Sequence, residues 1–120
     1  MYKLIALLLL IGVVFTTTVD AQTGKPMKGR VASFNDIMMG GDGKVDRAKA
    51  QDLAEKGNPI VFVVGKGKSA KIYFVYNEDG TFAGKNLAKY ANNESVGIVG
   101  KTKTVNGIKI IIATMIESMD

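Results

Sequence analysis

The sequence predicts a mainly β fold with two helices, in the order β–α–β–β–α–β–β. Ile60–Val64 is an unbroken apolar run rich in β-branched residues, which is typical of a strand buried on both faces. Asn106-Gly107 lies between two apolar segments and is a strong hairpin signal, because a type I′ turn needs positive φ at both positions. Gly57 is typical of a helix end, and Pro59 of the start of a strand.

Five strands are predicted from apolar periodicity and from the turn residues between the segments. In the last strand, alternation is expected to place four isoleucines on one face of the sheet: Ile108, Ile110, Ile112 and Ile116. The predicted strands cover residues 28–34, 60–64, 71–76, 96–105 and 108–117.

Two helices are predicted, at residues 44–56 and 86–91. Asp42 or Asp46 favours the N-terminus of the first helix, because a carboxylate there accepts hydrogen bonds from free backbone N–H groups. Residues 35–43 are predicted to form a loop, because closely spaced glycines oppose regular structure.

Five short strands with a helix between the third and fourth are the element order of an OB-fold, a partly open Greek-key barrel. The helix after the first strand is then an insertion. An α+β sandwich with both helices on one face is the alternative architecture. The predicted domain covers residues 28–120.

The N-terminus has the layout of a secretory signal peptide. Lys3 precedes an unbroken apolar run at residues 4–15, and Val19-Asp20-Ala21 places small residues at −3 and −1 of a cleavage site. The run is short for a bilayer span, which takes roughly 20 residues. The sequence therefore predicts a signal peptide at 1–21, a flexible lead-in at 22–27 and an exported protein, periplasmic or secreted. Membrane attachment is expected only through an uncleaved signal segment.

The composition excludes several kinds of chemistry. The chain has no cysteine and no histidine, so thiol catalysis, thiolate or imidazole metal sites and a serine–histidine mechanism are impossible within it. We therefore predict no catalytic residue, no metal and no cofactor. A hydrolase that uses the carboxylates of Asp42 and Asp46 is kept as an alternative.

The net charge of +5 favours anionic partners, although a charge of this size also keeps a small domain soluble. The predicted ligand-binding surface is the exposed side of strands two to four, with Lys71, Tyr73, Lys101 and Lys103. Lysines beside aromatic rings also suit single-stranded nucleic acid on an OB-fold. Nucleic acid is disfavoured as a partner, because an exported protein meets little of it. The competing interpretation is that the aromatic residues pack in the core.

Residues 28–117 resemble a group of small exported bacterial OB-fold-like proteins of largely unassigned function. The resemblance rests on short segments in a fixed order along the chain. They are Gly29-Arg30-Val31, Ala54-Glu55-Lys56-Gly57-Asn58-Pro59-Ile60, Lys71-Ile72-Tyr73-Phe74-Val75, Leu87-Ala88-Lys89-Tyr90-Ala91, Val96-Gly97-Ile98-Val99-Gly100 and Asn106-Gly107-Ile108. The resemblance implies the OB-fold. Many members carry Cys or His in the first loop and helix, where this chain has residues such as Asp42 and Asp46.

These observations lead to one functional expectation. The chain is expected to be a non-enzymatic domain that binds an envelope protein or an anionic ligand, neither of which the sequence identifies.

The processing of the N-terminus is directly testable. If the signal peptide is cleaved where small residues occupy −3 and −1, the mature protein begins at Gln22. Intact-mass measurement and N-terminal sequencing of protein recovered from the producing cells check this expectation. A mature chain that begins at Met1 contradicts it.

Overall fold

The computed structural model describes residues 19–21 and 25–120 of the chain. The predicted signal peptide therefore lies outside the described residues except for Val19–Ala21, whose backbone forms a short strand, β1. The predicted lead-in is described from Lys25 onward.

The remaining elements confirm the predicted strands and both predicted helices to within a few residues. The strands are β2 (Met27–Ser33), β3 (Ile60–Val64), β4 (Lys71–Asn77), β5 (Val96–Val105) and β6 (Ile108–Ser118). The helices are α1 (Phe34–Met38), α2 (Arg47–Glu55) and α3 (Gly84–Ala88), and a 3₁₀ turn covers Gly67–Ser69. Within the described part of the chain, no helix has the length and apolar character needed to cross a membrane.

The strands β2 to β6 form a mixed sheet that closes into a ring. β2 pairs antiparallel with both β3 and β5, β3 pairs antiparallel with β4, and β5 pairs antiparallel with β6. The contact that closes the ring, between β4 and β6, is parallel. The predicted mainly β class is therefore confirmed. β1 lies outside the ring, on the free edge of β5.

The main hydrophobic core lies inside the ring. Phe62, Ile98 and Ile111 are fully buried there, one from each of β3, β5 and β6. Leu87 of α3 packs against the same core, and α2 buries Ala50 there. The prediction of a strand buried on both faces is confirmed for β3, whose first four residues are all buried.

The prediction of a loop throughout residues 35–43 is wrong, because α1 occupies its first part. Ser33 caps this helix, and its hydroxyl accepts a hydrogen bond from the Asp36 backbone N–H at 3.3 Å. The Asp36 carboxylate in turn accepts one from the Gly43 N–H at 2.7 Å. A side chain at Gly41 would collide with that carboxylate, so the glycine allows the loop to close over Asp36.

A second, smaller hydrophobic cluster lies on the outside of the ring. Ala32, Val61 and Val63 are buried there, although they point away from the main core. Phe34 and Ile37 pack against this cluster, which explains why a short helix follows β2 directly. The outer surface of the sheet is therefore apolar over β2, β3 and part of β4.

The β5–β6 hairpin turns at Asn106 and Gly107, both with positive φ, as predicted. Further along the hairpin, the register shifts between Val99 and Gly100, so that β6 has one additional residue, Thr114. Such a bulge reverses which face the following residues occupy. Ile116 consequently lies opposite Ile98 and packs against the main core. The prediction that Ile116 shares a face with the other isoleucines of this strand is wrong for that reason.

The role of the ring interior in stability can be tested at Phe62, a large side chain that is fully buried in β3. Phe62→Ala leaves a cavity and is expected to lower the free energy of unfolding by about 3–5 kcal/mol. Urea denaturation followed by circular dichroism measures this loss. Met39→Ala is the matched control, because Met39 is 87% exposed. Equal effects of the two substitutions would contradict the assignment of the core.

Candidate functional site

The four residues of the predicted binding surface lie on two different faces of the sheet. Tyr73 is paired with Phe62, and both contact the main core inside the ring. Lys71 lies two residues before Tyr73, so it has the same inward orientation, but it is exposed at the beginning of β4. The expectation that aromatic residues of this strand pack in the core therefore holds for Tyr73, which is half-buried.

Lys101 and Lys103 lie on the outer face of the sheet. Between them, Thr102 is opposite Ile111, which is fully buried inside the ring. Because successive residues of a strand point to opposite faces, the two lysines point outward. The structure therefore brings together Lys101 with Lys103 and Lys71 with Tyr73, but it does not bring the two pairs onto one face.

The aromatic residues that share a face with Lys101 and Lys103 are Phe74 and Tyr76. Tyr76 is paired with Ile112, which is paired with Lys101 across the next strand. Phe74, Ile110 and Lys103 form a second row across the same strands, two residues away from the first. Paired residues on neighbouring strands point to the same side, so each lysine is separated from a ring by one isoleucine and roughly 10 Å of sheet.

Phe82 extends the Tyr76 row by one further residue. It forms an isolated antiparallel bridge with Tyr76, and the two rings pack edge to face with centroids 5.5 Å apart. Phe82 remains 43% exposed. We call these residues together the aromatic–lysine face: Phe74, Tyr76, Phe82, Ile110, Ile112, Lys101 and Lys103.

A tight turn positions Phe82 beside Tyr76. Asn77 and Thr81 close the turn through a backbone hydrogen bond of 2.8 Å, and Gly80 adopts φ of 88° within it. The Asp79 carboxylate accepts hydrogen bonds from the Thr81 hydroxyl at 2.6 Å and the Thr81 backbone N–H at 2.9 Å. These bonds favour the ionised carboxylate and lower the pKa of Asp79 below its ordinary value.

The other end of the face is held by the aromatic residue that begins α1. The ring of Phe34 packs on that of Phe74 at a centroid distance of 5.1 Å, with the planes tilted by 55°. Phe74 is therefore fixed between the outer hydrophobic cluster and the isoleucines of β6. The face therefore lies on the sheet between the Phe34 ring at one end and the exposed Phe82 ring at the other.

In the described part of the chain, neither lysine of the aromatic–lysine face has a carboxylate partner. Among the residues that the structure describes, the one ion pair joins Lys56 to Asp52 at 3.0 Å, on the exposed surface of α2. Lys101 is exposed and Lys103 is half-buried. An anion bound beside the rings would meet positive charge without displacing a carboxylate from it.

A separate groove of about 660 Å³ contains the two carboxylates of the hydrolase alternative. Asp42 and Asp46 both line it and both are exposed. Asp42 accepts a hydrogen bond from the Lys44 N–H at 2.9 Å, and Asp46 caps α2 by accepting one from the Lys49 N–H at 2.7 Å. The second bond confirms Asp46 as the helix cap. Both carboxylates thus have structural roles in the backbone around them.

Arg30 lies where this groove meets two neighbouring grooves. It is half-buried on the outer face of β2, opposite Val63, and takes no part in the ion pair that the described residues contain. The same groove also holds the carboxylates of Asp42 and Glu94. Its charges are therefore mixed, in contrast to the aromatic–lysine face.

Within residues 19–21 and 25–120, no group of three or more Asp, Glu, His or Cys side chains is arranged so that it could hold a metal ion.

No known protein family, curated protein sequence or solved structure matches the chain significantly.

The sequence analysis grouped Tyr73 with Lys101 and Lys103, whereas the structure places Tyr73 and these two lysines on opposite faces of the sheet. Alternation in β4 could have grouped Phe74 with Tyr76, because both occupy even positions. Nothing in the sequence indicates that β4 pairs with β6, and this pairing is what brings the rings close to the lysines. Phe82 follows a turn outside the predicted strands, so no strand periodicity could have indicated it.

The turn that positions Phe82 can be tested through the pKa of Asp79. Thr81→Val removes the hydroxyl that contributes most to lowering this pKa, so the pKa is expected to rise toward its ordinary value. Because the pKa of Asp79 is lower in the folded state than in the unfolded state, the ionised carboxylate stabilises the folded protein. This stabilisation is present above the unfolded-state pKa and is lost as the pH falls through the folded-state pKa. An NMR titration of the Asp79 carboxyl carbon measures the change.

Thr114→Val is the control for this measurement, because the Thr114 hydroxyl bonds to the Val99 carbonyl and not to Asp79. If Thr81→Val leaves the titration of Asp79 unchanged, the hydrogen bond does not hold the turn in solution.

Proposed function

We propose that this protein is an exported, non-enzymatic binding domain of the bacterial cell envelope, and that its aromatic–lysine face binds an anionic ligand or partner. The observation that carries the proposal is the placement of two lysines, which have no carboxylate partner among the described residues, in the same rows as Phe74 and Tyr76. Aliphatic and aromatic side chains supply contact area, and the lysines supply attraction and orientation.

The order of strand pairing supports an OB-fold-like architecture. The ring contains five strands, and one of its strand contacts is parallel. Along the chain, α3 comes after β4 and before β5, which are the third and fourth strands of the ring in sequence order. OB-folds bind ligands on the face of their second and third strands and on the adjoining loops. In this numbering those strands are β3 and β4, so the position of Phe74 and Tyr76 agrees with such a site.

Export is supported by the N-terminal sequence pattern, and a non-enzymatic role by the absence of His and Cys from the chain. The exposed carboxylates of Asp42 and Asp46 hold backbone N–H groups, which gives them a structural explanation. The binding role explains more of the observed arrangement than the hydrolase alternative does.

Single-stranded nucleic acid is the second candidate ligand. Exposed rings beside lysines are what base stacking and phosphate attraction require. Phe82, 43% exposed and packed against Tyr76, is the specific observation that favours it. Polygalacturonate, an anionic polysaccharide without aromatic rings, distinguishes a general anion-binding face from one that needs bases.

Calorimetric titration with polygalacturonate, with neutral dextran of similar length and with oligothymidylate tests the proposal. We expect polygalacturonate to bind and dextran not to bind. Lys101→Glu combined with Lys103→Glu is expected to weaken this binding by about tenfold or more, because attraction becomes repulsion at two sites.

The matched control is Lys49→Glu combined with Lys85→Glu, which makes the same charge change at exposed positions in α2 and α3. Binding that weakens equally in both double variants would show that net charge alone is responsible. A failure of all polyanions to bind would contradict the proposal. Oligothymidylate that binds more tightly than polygalacturonate, and is weakened by Phe82→Ala, would favour the nucleic-acid candidate.

A further inference from the structure

One edge of β5 pairs with β6 along its whole length, and the opposite edge is shared between two other strands. Met27–Gly29 of β2 pairs with its first part, from Val96 to Ile98. On the same side, β1 pairs with Lys101, Thr102 and Lys103. In the described residues no strand of the ring pairs with this edge beyond Ile98.

The pairing of β1 shows that this edge accepts an extended segment. The backbone of Val19–Ala21 runs antiparallel to β5, with Val19 opposite Lys103 and Ala21 opposite Lys101. The three paired positions are consecutive, so the ladder is regular over its length. An incoming strand needs no rearrangement of the ring to pair here.

The segment that occupies the edge belongs to the predicted signal peptide. Val19-Asp20-Ala21 immediately precedes the predicted cleavage site, so cleavage after Ala21 removes all of β1. Among the residues that the structure describes, none would then pair with this edge from Val99 to Val105. An open edge presents unpaired backbone groups and readily pairs with another chain.

A second copy of the chain is a poor occupant of this edge. A symmetric antiparallel pairing centred on Thr102 sets Lys101 of each copy opposite Lys103 of the other. Like charges directly opposite each other on neighbouring strands are destabilising. In this register, the same lysines that attract an anion therefore oppose self-association.

An acidic extended segment has the complementary chemistry. In the register of β1, the positions opposite Lys103 and Lys101 are two residues apart, and residues paired across strands point to the same face. Acidic side chains at these two positions would lie beside the lysines, on the aromatic–lysine face. The main-chain pairing would add affinity, and the alternating charges would select the register.

We propose that the edge of β5 at Val99–Val105 binds an extended acidic segment of a partner protein by strand addition, and that β1 occupies this edge until signal cleavage. The recognised pattern is an acidic residue, any residue, then a second acidic residue. This inference rests on the proposed binding function and specifies its partner as a peptide rather than a polysaccharide.

The experiment uses protein produced from the full-length gene and recovered after export, with its N-terminus determined by mass spectrometry. The probe is a short blocked peptide of threonines with two glutamates in alternation. The first control peptide has the same composition with the two glutamates adjacent. The second keeps the alternation but carries N-methyl groups on the backbone amides that would face β5.

We expect the alternating peptide to bind about tenfold or more tightly than either control, because each control loses the charge register or the main-chain pairing. Bound peptide should slow hydrogen exchange of β5 amides between Val99 and Val105. Lys101→Glu combined with Lys103→Glu should reverse the preference, so that a peptide with alternating lysines binds instead. Because the control peptides need no variant, the test does not depend on the folding of this double substitution.

Several results would overturn the inference. One is that the N-methylated peptide or the peptide with adjacent glutamates binds as tightly as the alternating peptide. Another is that the mature chain still contains Val19–Ala21. A third is that the protein forms a dimer in which the edge amides of β5 are protected from hydrogen exchange without any peptide. In each case, polygalacturonate binding that depends on Lys101 and Lys103 would leave the proposed function standing, so the two failures are distinguishable.

Discussion

The parallel contact between β4 and β6 is the constraint on which the rest of the structure depends. It joins Val75 to Ile111, two fully buried residues that come from strands separated by α3 and β5 along the chain. The β5–β6 hairpin connects neighbouring segments of the chain, whereas this contact returns the last strand to the middle of the chain. Without it the sheet would be open, and the main core would have no closed interior. The burial of apolar surface inside the ring is what compensates for the entropy of closing so long a loop.

The same contact determines which side chains meet on the outside. Because Val75 and Ile111 point inward together, their neighbours Phe74, Tyr76, Ile110 and Ile112 point outward together. The β5–β6 ladder then carries this alternation on to Lys101 and Lys103. The aromatic–lysine face is thus the outer counterpart of the core.

The extent to which sequence reasoning succeeded follows from the range of each interaction. The boundaries of β3 and β5 could be predicted because local alternation, glycines and proline mark them. The cap at Asp46 and the turn at Asn106 are equally local. α1 is not predicted, because the strand pattern extends to its first residue, Phe34, and the closely spaced glycines that follow indicate a loop. Its stability depends on packing between Phe34 and the outer cluster, which is a tertiary effect.

The aromatic–lysine face could be predicted only in part for a similar reason. Positive charge and aromatic content are visible in the composition, and the lysines of β5 could be identified by their alternation. The choice between Tyr73 and Tyr76 depends on which face of β4 looks into the ring, and both faces of that strand are apolar. Only the pairing of β4 with β3 and β6 determines which of its faces looks into the ring. A strand of five or more apolar residues therefore gives little information about its own orientation.

The hairpin turn and the bulge together fix the register that gives the lysines their position. Asn106 and Gly107 set the pairing of Val105 with Ile108, and the ladder then continues without interruption to the pairing of Lys101 with Ile112. A slip of one residue would turn Lys101 and Lys103 into the core and expose Thr102. The bulge beyond Lys101 lets β6 bend toward the inside, where Ile116 contacts the core, while the segment that carries the lysines keeps its outward alternation. The placement of two lysines in the same rows as two aromatic rings is in this way specified by a two-residue turn, and the additional residue in β6 lies beyond them.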